Sequence, residues 1–273
     1  MKMLVKFGAS CEKRANDNES ALSYAGSRIV RSALINSLLS ELEEAKFSVS
    51  RRQKKKLQDW IVMLGEGGLN VNDPLGGLDL HTPLHIAAIA GLSDVVSMLL
   101  EKRAEVNASD ENGWAPIHHC AVRGGKGRRA VAEMLLSDGY AKVDARTSYM
   151  RTALHMACIG SSACADLKEQ GREEGEGEEE EEEDTRMIEL LLEWGADTEA
   201  LDSEGCTPLL RAAEAGRVKC MWKMIERGAD LYAKTPKLWN CLHFAAFHGR
   251  ARACKLLVQQ DAERSILKAQ RDR

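Results

Sequence analysis

Aromatic residues make up only 5% of this 273-residue chain, so any core must be assembled mainly from Leu, Ala, Val, Ile and Met. No run approaches the ~18 apolar residues that crossing a bilayer requires. The amino-terminal stretch Met1–Phe7 is too short and too interrupted to read as a signal peptide. Eight cysteines are present, at positions 11, 120, 158, 164, 206, 220, 241 and 254, yet no two make a C-x-x-C pair. Cys120, Cys158 and Cys254 fall in helical patterns, where a reduced thiol behaves as a small hydrophobe. No G-x-S-x-G, H-E-x-x-H, phosphate-binding loop or dinucleotide fingerprint occurs. We therefore expect a reduced, soluble protein of the cytoplasm, with the nucleus as the second compartment, and no membrane insertion. We expect no catalysis, no cofactor and no metal.

The apolar fraction of 44% and the charged fraction of 29% are those of a globular protein, and the chain is long enough to bury a sizeable core. The net charge of −4 hides an uneven distribution. Residues 173–184 hold nine Glu and one Asp without a base, which leaves the remainder of the chain at +6. Such a tract buries no apolar area and repels itself, so it is expected as a solvated loop. A docking strip for a basic partner is the sharper alternative.

Four segments share one shape: Thr82-Pro83-Leu84-His85, Ala115-Pro116-Ile117-His118, Thr152-Ala153-Leu154-His155 and Thr207-Pro208-Leu209-Leu210. A fifth, Asn240-Cys241-Leu242-His243, keeps the last two positions. Their first residues stand 33, 37, 55 and 33 apart. A second apolar signature follows each: Met98-Leu99-Leu100, Met134-Leu135-Leu136, Leu190-Leu191-Leu192, Lys223-Met224-Ile225 and Leu256-Leu257-Val258. From His85 to Leu100, Leu210 to Ile225 and His243 to Val258 the spacing is 15 each time. The second copy is longer because Gly124-Gly125-Lys126-Gly127 expands the expected interhelical loop, with a further residue near Tyr140. The third is longer by 22 residues that contain the acidic tract. Insertions confined to connections, with the apolar frame kept, are what a structural repeat permits.

Each copy has helix-turn-helix chemistry. A leading Thr caps a helix, Pro occupies the first helical position, Ala pairs let helices approach, and Gly91, Gly160, Gly216 and Gly249 supply stops. Asp110-x-x-Gly113 and Asp202-x-x-Gly205 are turn signals between copies. The frame T-P-L-H-x-A-A-x-x-G, L-L-E-x-G-A-D and D-x-x-G resembles the ankyrin repeat, from about Leu78 to Val258. The resemblance implies an all-α solenoid of stacked helix pairs with hairpin connections: about five copies, after a degenerate capping repeat. Residues 1–26 are expected as a flexible terminus and 27–77 as a helical cap with helices over 27–46 and 50–64. Residues 78–273 form the repeat domain, with an acidic loop insertion at about 166–186. Residues 269–273 look like the start of another hairpin, which leaves open an excerpt of a longer protein or a stack that a partner completes.

The resemblance also implies a function: a scaffold or adaptor that binds a protein partner through hairpin tips and the concave surface of the first helices, as a monomer. The residues it selects at the hairpins are His81, Trp114, Arg151 and Trp239. On the helices they are Ile89, His119, Arg123, Arg211, Glu214, Phe244 and Phe247. Trp at two equivalent positions suits a binding hot spot. Asn107, in Leu99–Asn107, sits in a context resembling that of asparaginyl hydroxylation, or it simply serves the turn. The run Arg51–Lys56 opens a nucleic-acid or nuclear-localisation alternative, against a solvated helix turn. His118-His119-Cys120 is not a ligand set, because adjacent helical residues diverge by about 100°. In the family, the histidine at the 85, 118, 155 and 243 position bonds between repeats. Two further readings stay open: the recognition region of a larger enzyme, ubiquitin-ligase adaptor or ion channel, and a nucleic-acid-associated regulator.

Overall fold

The computed structural model describes residues 71, 72, 74, 80–160 and 176–271, with side chains described for all but Arg123, 176–184 and 263–271. The expected terminus 1–26, most of the cap 27–77, the basic run 51–56, Cys11 and Cys164 lie outside the described residues. Ten helices are described: α1 Pro83–Ala90, α2 Ser93–Glu101, α3 Pro116–Arg123, α4 Lys126–Ser137, α5 Ala153–Ile159, α6 Glu176–Glu193, α7 Pro208–Ala215, α8 Val218–Glu226, α9 Cys241–Phe247 and α10 Ala251–Arg271. They pair in order, and no strand occurs among the described residues. The first helices α1, α3, α5, α7 and α9 pack each on the next, and so do the second helices α2, α4, α6, α8 and α10. The result is a two-layered helical solenoid.

Local chemistry sets the helix starts. Thr82, Thr152, Thr207 and Asn240 lie in extended backbone, and their side chains accept from the amides of His85, His155, Leu210 and His243. Close approach between first helices comes from small residues: Ala87, Ala88, Ala121, Ala157, Ala212, Ala213 and Ala245 are all fully buried. The larger part of the core lies between layers, where Leu99, Leu135, Leu191 and Met224 are buried one per copy. In the first copy Leu99 faces the core and Leu100 only packs against its margin.

Burial pushes the thiols of Cys120 and Cys241 up to about 12, which makes them inert fillers. Gly91 and Gly216 close α1 and α7 in left-handed backbone. A side chain there would collide with Arg128 or Arg250, whose guanidinium Nε atoms donate to the carbonyls of Ile89 and Glu214 at 2.8 and 3.2 Å. Two arginines thereby satisfy helix-end carbonyls and favour the negative pole of the helix.

Both insertions differ from expectation. The second copy keeps a two-residue link, Gly124-Gly125, as the first keeps Gly91-Leu92. Its extra residues enter the helix instead, and α4 has 12 residues where α2 has 9. Gly127, in the added turn, lies against the Gly91 carbonyl, whose oxygen would stand 3.0 Å from a Cβ at this position. The acidic tract is likewise not all loop, because α6 runs back to Glu176. Glutamate is a good helix former, and acidic residues in the first turns complement the helix dipole. The register is then fixed by Met187, Ile188 and Leu191, all fully buried.

Candidate interaction surface

The connection before each first helix is one tight turn used repeatedly. The Asp110 amide donates to the Trp114 carbonyl at 2.9 Å, and the Gly113 amide returns to the Asp110 carbonyl at 3.0 Å. Thr147 with Arg151, Asp202 with Cys206, and Thr235 with Trp239 repeat the long bond; Met150, Gly205 and Leu238 repeat the return. Where the turn opens with Asp, its Oδ1 accepts two more amides, from Asn112 and Trp114 or from Glu204 and Cys206. Where it opens with Thr, Oγ1 accepts one, from Arg151 or Trp239. Neighbouring turns are tied by backbone, Ser148 donating to Asn112 and Ser203 to Tyr149.

The last turn position has positive φ in every copy: Leu80 52°, Gly113 72°, Met150 58°, Gly205 75° and Leu238 62°. Glycine takes this conformation freely, whereas a side chain pays roughly 1–2 kcal/mol. Three of the five positions nonetheless carry large apolar residues, and those side chains stay in solvent. Leu238 is 71% exposed, Leu80 46% and Met150 45%, with Tyr149 beside Met150 at 61%.

Behind the turns lie two related ionic junctions. Asp202 receives Arg211 at 2.6 Å and Arg151 at 3.5 Å, while Arg211 also reaches Glu204 at 3.0 Å and Glu214 at 2.8 Å. Burial works against the charge on Asp202, yet the Cys206 amide and Arg211 hold its carboxyl below the usual range. In the same slots at the first junction, Asp110 Oδ2 receives His119 Nε2 at 3.0 Å and His81 Nε2 at 3.4 Å. Burial again opposes ionisation, and bonds from His119, His81 and the Trp114 amide outweigh it, so the Asp110 carboxyl also lies low. Burial depresses His119 to about 3.

A histidine ladder joins successive copies. Nε2 of His85, His118 and His155 lies 2.9, 2.9 and 3.0 Å from the carbonyls of Trp114, Ala145 and Cys206. Their Nδ1 atoms accept the amides of Thr82, Ala115 and Thr152, which makes Nε2 the protonated nitrogen. The family's inter-repeat bond at this position is present at three junctions. A second ladder runs along the outer edge: Asn72, Asn107, Asp144 and Glu199 accept the amides of Glu105, Lys142, Asp197 and Asp230. Asn107 is thus a link between copies.

The residues selected from sequence separate into two groups. Ile89, His119 and Arg211 are buried, the last two in the ionic junctions just described. His81, Trp114, Arg151, Trp239, Glu214 and Phe244 are half-buried, and Phe247 is 73% exposed. The Arg123 side chain lies outside the described residues. Trp114 packs on the His119 ring at 5.0 Å, and Trp239 gathers Phe244 and Phe247, each at 5.3 Å. The exposed Leu80, Met150 and Leu238 lie one residue before the hairpin slot that the resemblance selects, and Tyr149 lies two before it. The missing signal was present: the final position of D-x-x-G is filled by a bulky residue in three copies.

The family profile for ankyrin repeats, three copies to a unit, matches residues 47–147 and 180–267. The chain belongs to the ankyrin repeat family. Among similar proteins, the ankyrin repeat protein nuc-2 of Neurospora crassa is 28% identical over 198 residues, 68% of this chain and 18% of that protein. The mouse B-cell lymphoma 3 protein homolog is 28% identical over 202 residues, 71% of this chain and 40% of that protein. A transient receptor potential cation channel subfamily A member 1 homolog of Caenorhabditis elegans is 25% identical over 182 residues, 67% of this chain and 13% of the channel. The chain thus spans well under half the length of each. With the family comes a general role in protein–protein interaction, carried here on an all-helical frame. No described helix is long and apolar enough to cross a membrane.

Proposed function

We propose that this stack is a scaffold or adaptor module that holds a protein partner along its turn edge. Leu80, Tyr149, Met150 and Leu238 provide the apolar contacts, and the Trp239–Phe247 cluster extends them. The observation that carries this reading is the placement of bulky apolar residues in left-handed, exposed backbone. Each costs stability where glycine would not, and each exposes area to water, so neither folding nor solubility accounts for the choice. The half-buried Trp114 and Trp239 offer rigid aromatic edges of the kind found at hot spots.

The test is affinity capture with wild type, the triple variant Leu80→Gly/Met150→Gly/Leu238→Gly and the pair Trp114→Ala/Trp239→Ala. The triple variant should melt no lower than wild type and lose the captured protein. Capture of the same partner at the same yield would remove the turn edge as the binding surface. A second reading, the recognition region of a larger multidomain protein, draws support from the short span of 13–40% that the chain covers in its relatives. The full reading frame decides it.

A further inference from the structure

The junction between the first two helix pairs contains a group that the binding role does not use. His81, from the turn before α1, Asp110, from the turn before α3, and His119, on α3, offer ligand atoms that all lie within 4.8 Å of one another. Among the described residues, this is the one such group of three or more. We propose that His81, Asp110 and His119 bind one divalent metal ion of the Zn²⁺ class, which ties the first helix pair to the second.

The donor set suits that ion. Two imidazoles and one carboxylate are the mixed nitrogen and oxygen ligands that Zn²⁺ accepts, with water completing a tetrahedron. At metal–ligand bonds of about 2.0–2.1 Å, tetrahedral ligands stand about 3.3 Å apart. The Asp110 Oδ2 separations from the two Nε2 atoms, 3.0 and 3.4 Å, bracket that value. The imidazole–imidazole separation lies within 4.8 Å, so an ion is admitted once rotation of the half-buried His81 side chain closes that third edge.

The surroundings orient the ligands. Asp110 Oδ1 is held by the Asn112 and Trp114 amides at 2.9 and 2.8 Å, which leaves Oδ2 as the coordinating oxygen. Fixing a carboxylate through its other oxygen is the outer-shell arrangement that metal sites require. The Trp114 ring, 5.0 Å from that of His119, restrains the imidazole. His119 and Asp110 are buried, while the His81 side chain remains 15% exposed and gives the ion and its water a path.

The third and fourth pairs supply an internal comparison. There Arg151, Asp202 and Arg211 occupy the same three slots, and two guanidiniums neutralise the carboxylate directly. Guanidinium cannot ligate a metal, whereas imidazole can. The same buried aspartate is thus flanked by permanent cations at one junction and by two metal ligands at the other. A bound dication supplies at the first junction the charge that two arginines supply at the second.

The test uses the full, tag-free chain after chelator treatment, with Zn²⁺ in calorimetry and Co²⁺ as the optical probe. Expected are one saturable ion per chain, a higher melting temperature on addition, and visible Co²⁺ ligand-field bands without sulfur charge-transfer bands. His81→Ala, at a half-buried position, should weaken binding at least tenfold. His81→Arg/His119→Arg copies the second junction and should melt cooperatively while binding no ion. The proposal is overturned if wild type shows no saturable binding. It is equally overturned if both variants bind as wild type does, which would place the ion on the acidic tract, or if Co²⁺ shows thiolate bands, which would place it on cysteine.

Discussion

Acidification should dismantle the histidine ladder, and His155 gives the cleanest measure of it. Its Nδ1 lies 3.2 Å from the Thr152 amide and 3.0 Å from the Thr152 hydroxyl, and its Nε2 bonds the Cys206 carbonyl at 3.0 Å. A second proton would have to enter at Nδ1, against a donor already there. Burial first, then the positive Arg211 and Arg151, lowers its pKa from 6.5, against opposing contributions from the Cys206 bond and Asp202. A histidine lowered on folding takes up its proton in the unfolded chain first. Its contribution is therefore intact above the unfolded value of 6.5 and is lost as pH falls towards the folded value.

The slope is at most about 1.4 kcal/mol per pH unit for one histidine, or ~2 kcal/mol between about pH 6.5 and 5. His85, depressed to about 4, and His118, also lowered, have burial as their leading cause and act in the same direction. Together the three reach about 4 kcal/mol per pH unit as an upper limit, a large part of the ~5–15 kcal/mol that stabilises a domain. Urea titrations followed by circular dichroism, from about pH 7.5 to 5, measure this for wild type and His155→Gln. The glutamine keeps a donor towards Cys206 and titrates nothing, at a cost of about 1–2 kcal/mol at neutral pH. Its pH slope should be smaller than that of wild type by up to the single-histidine value. Equal slopes in the two proteins would refute the neutral-imidazole account.

Met150→Gly or Leu238→Gly should each raise stability by up to about 1 kcal/mol in a urea titration, since the left-handed penalty exceeds the entropy lost by glycine. Gly113→Ala should lower it by more than about 1 kcal/mol, because its Cβ would stand 2.7 Å from the Ser148 nitrogen. Arg211→Met leaves the buried Asp202 with the more distant Arg151 as its one remaining cation and should cost about 3–5 kcal/mol, measured by thermal melting. Ala213→Arg, at a fully buried contact between first helices, should unfold α5, α7 and α9 together in hydrogen exchange. Protection retained in α5 and α9 would contradict stacking as the source of their stability.

The repeat frame was readable because each copy states its own helix starts and apolar faces locally. Thr82, Thr152 and Thr207 cap where they stand, and Leu99, Leu191 and Met224 recur in register whatever the connections contain. The buried, inert thiol of Cys120 followed from the same pattern. The length of an insertion was likewise visible, but not its form, since glutamates and a Gly-Lys-Gly segment serve a loop or an added helical turn equally well. Packing of Gly127 on Gly91, and of Met187 and Ile188 in the core, decided for the helix.

The site followed a different logic. Arg211 and His119 read as surface residues because a charge or an imidazole on a first helix usually meets water, and only the neighbouring turn shows that each is buried against an aspartate. His81 and Asp110 are far apart in the chain and come together solely because one copy stacks on the next. Local chemistry wrote the helices and their period. Contacts between copies, about one repeat apart along the chain, settled which side chains are hidden and where two histidines share one carboxylate.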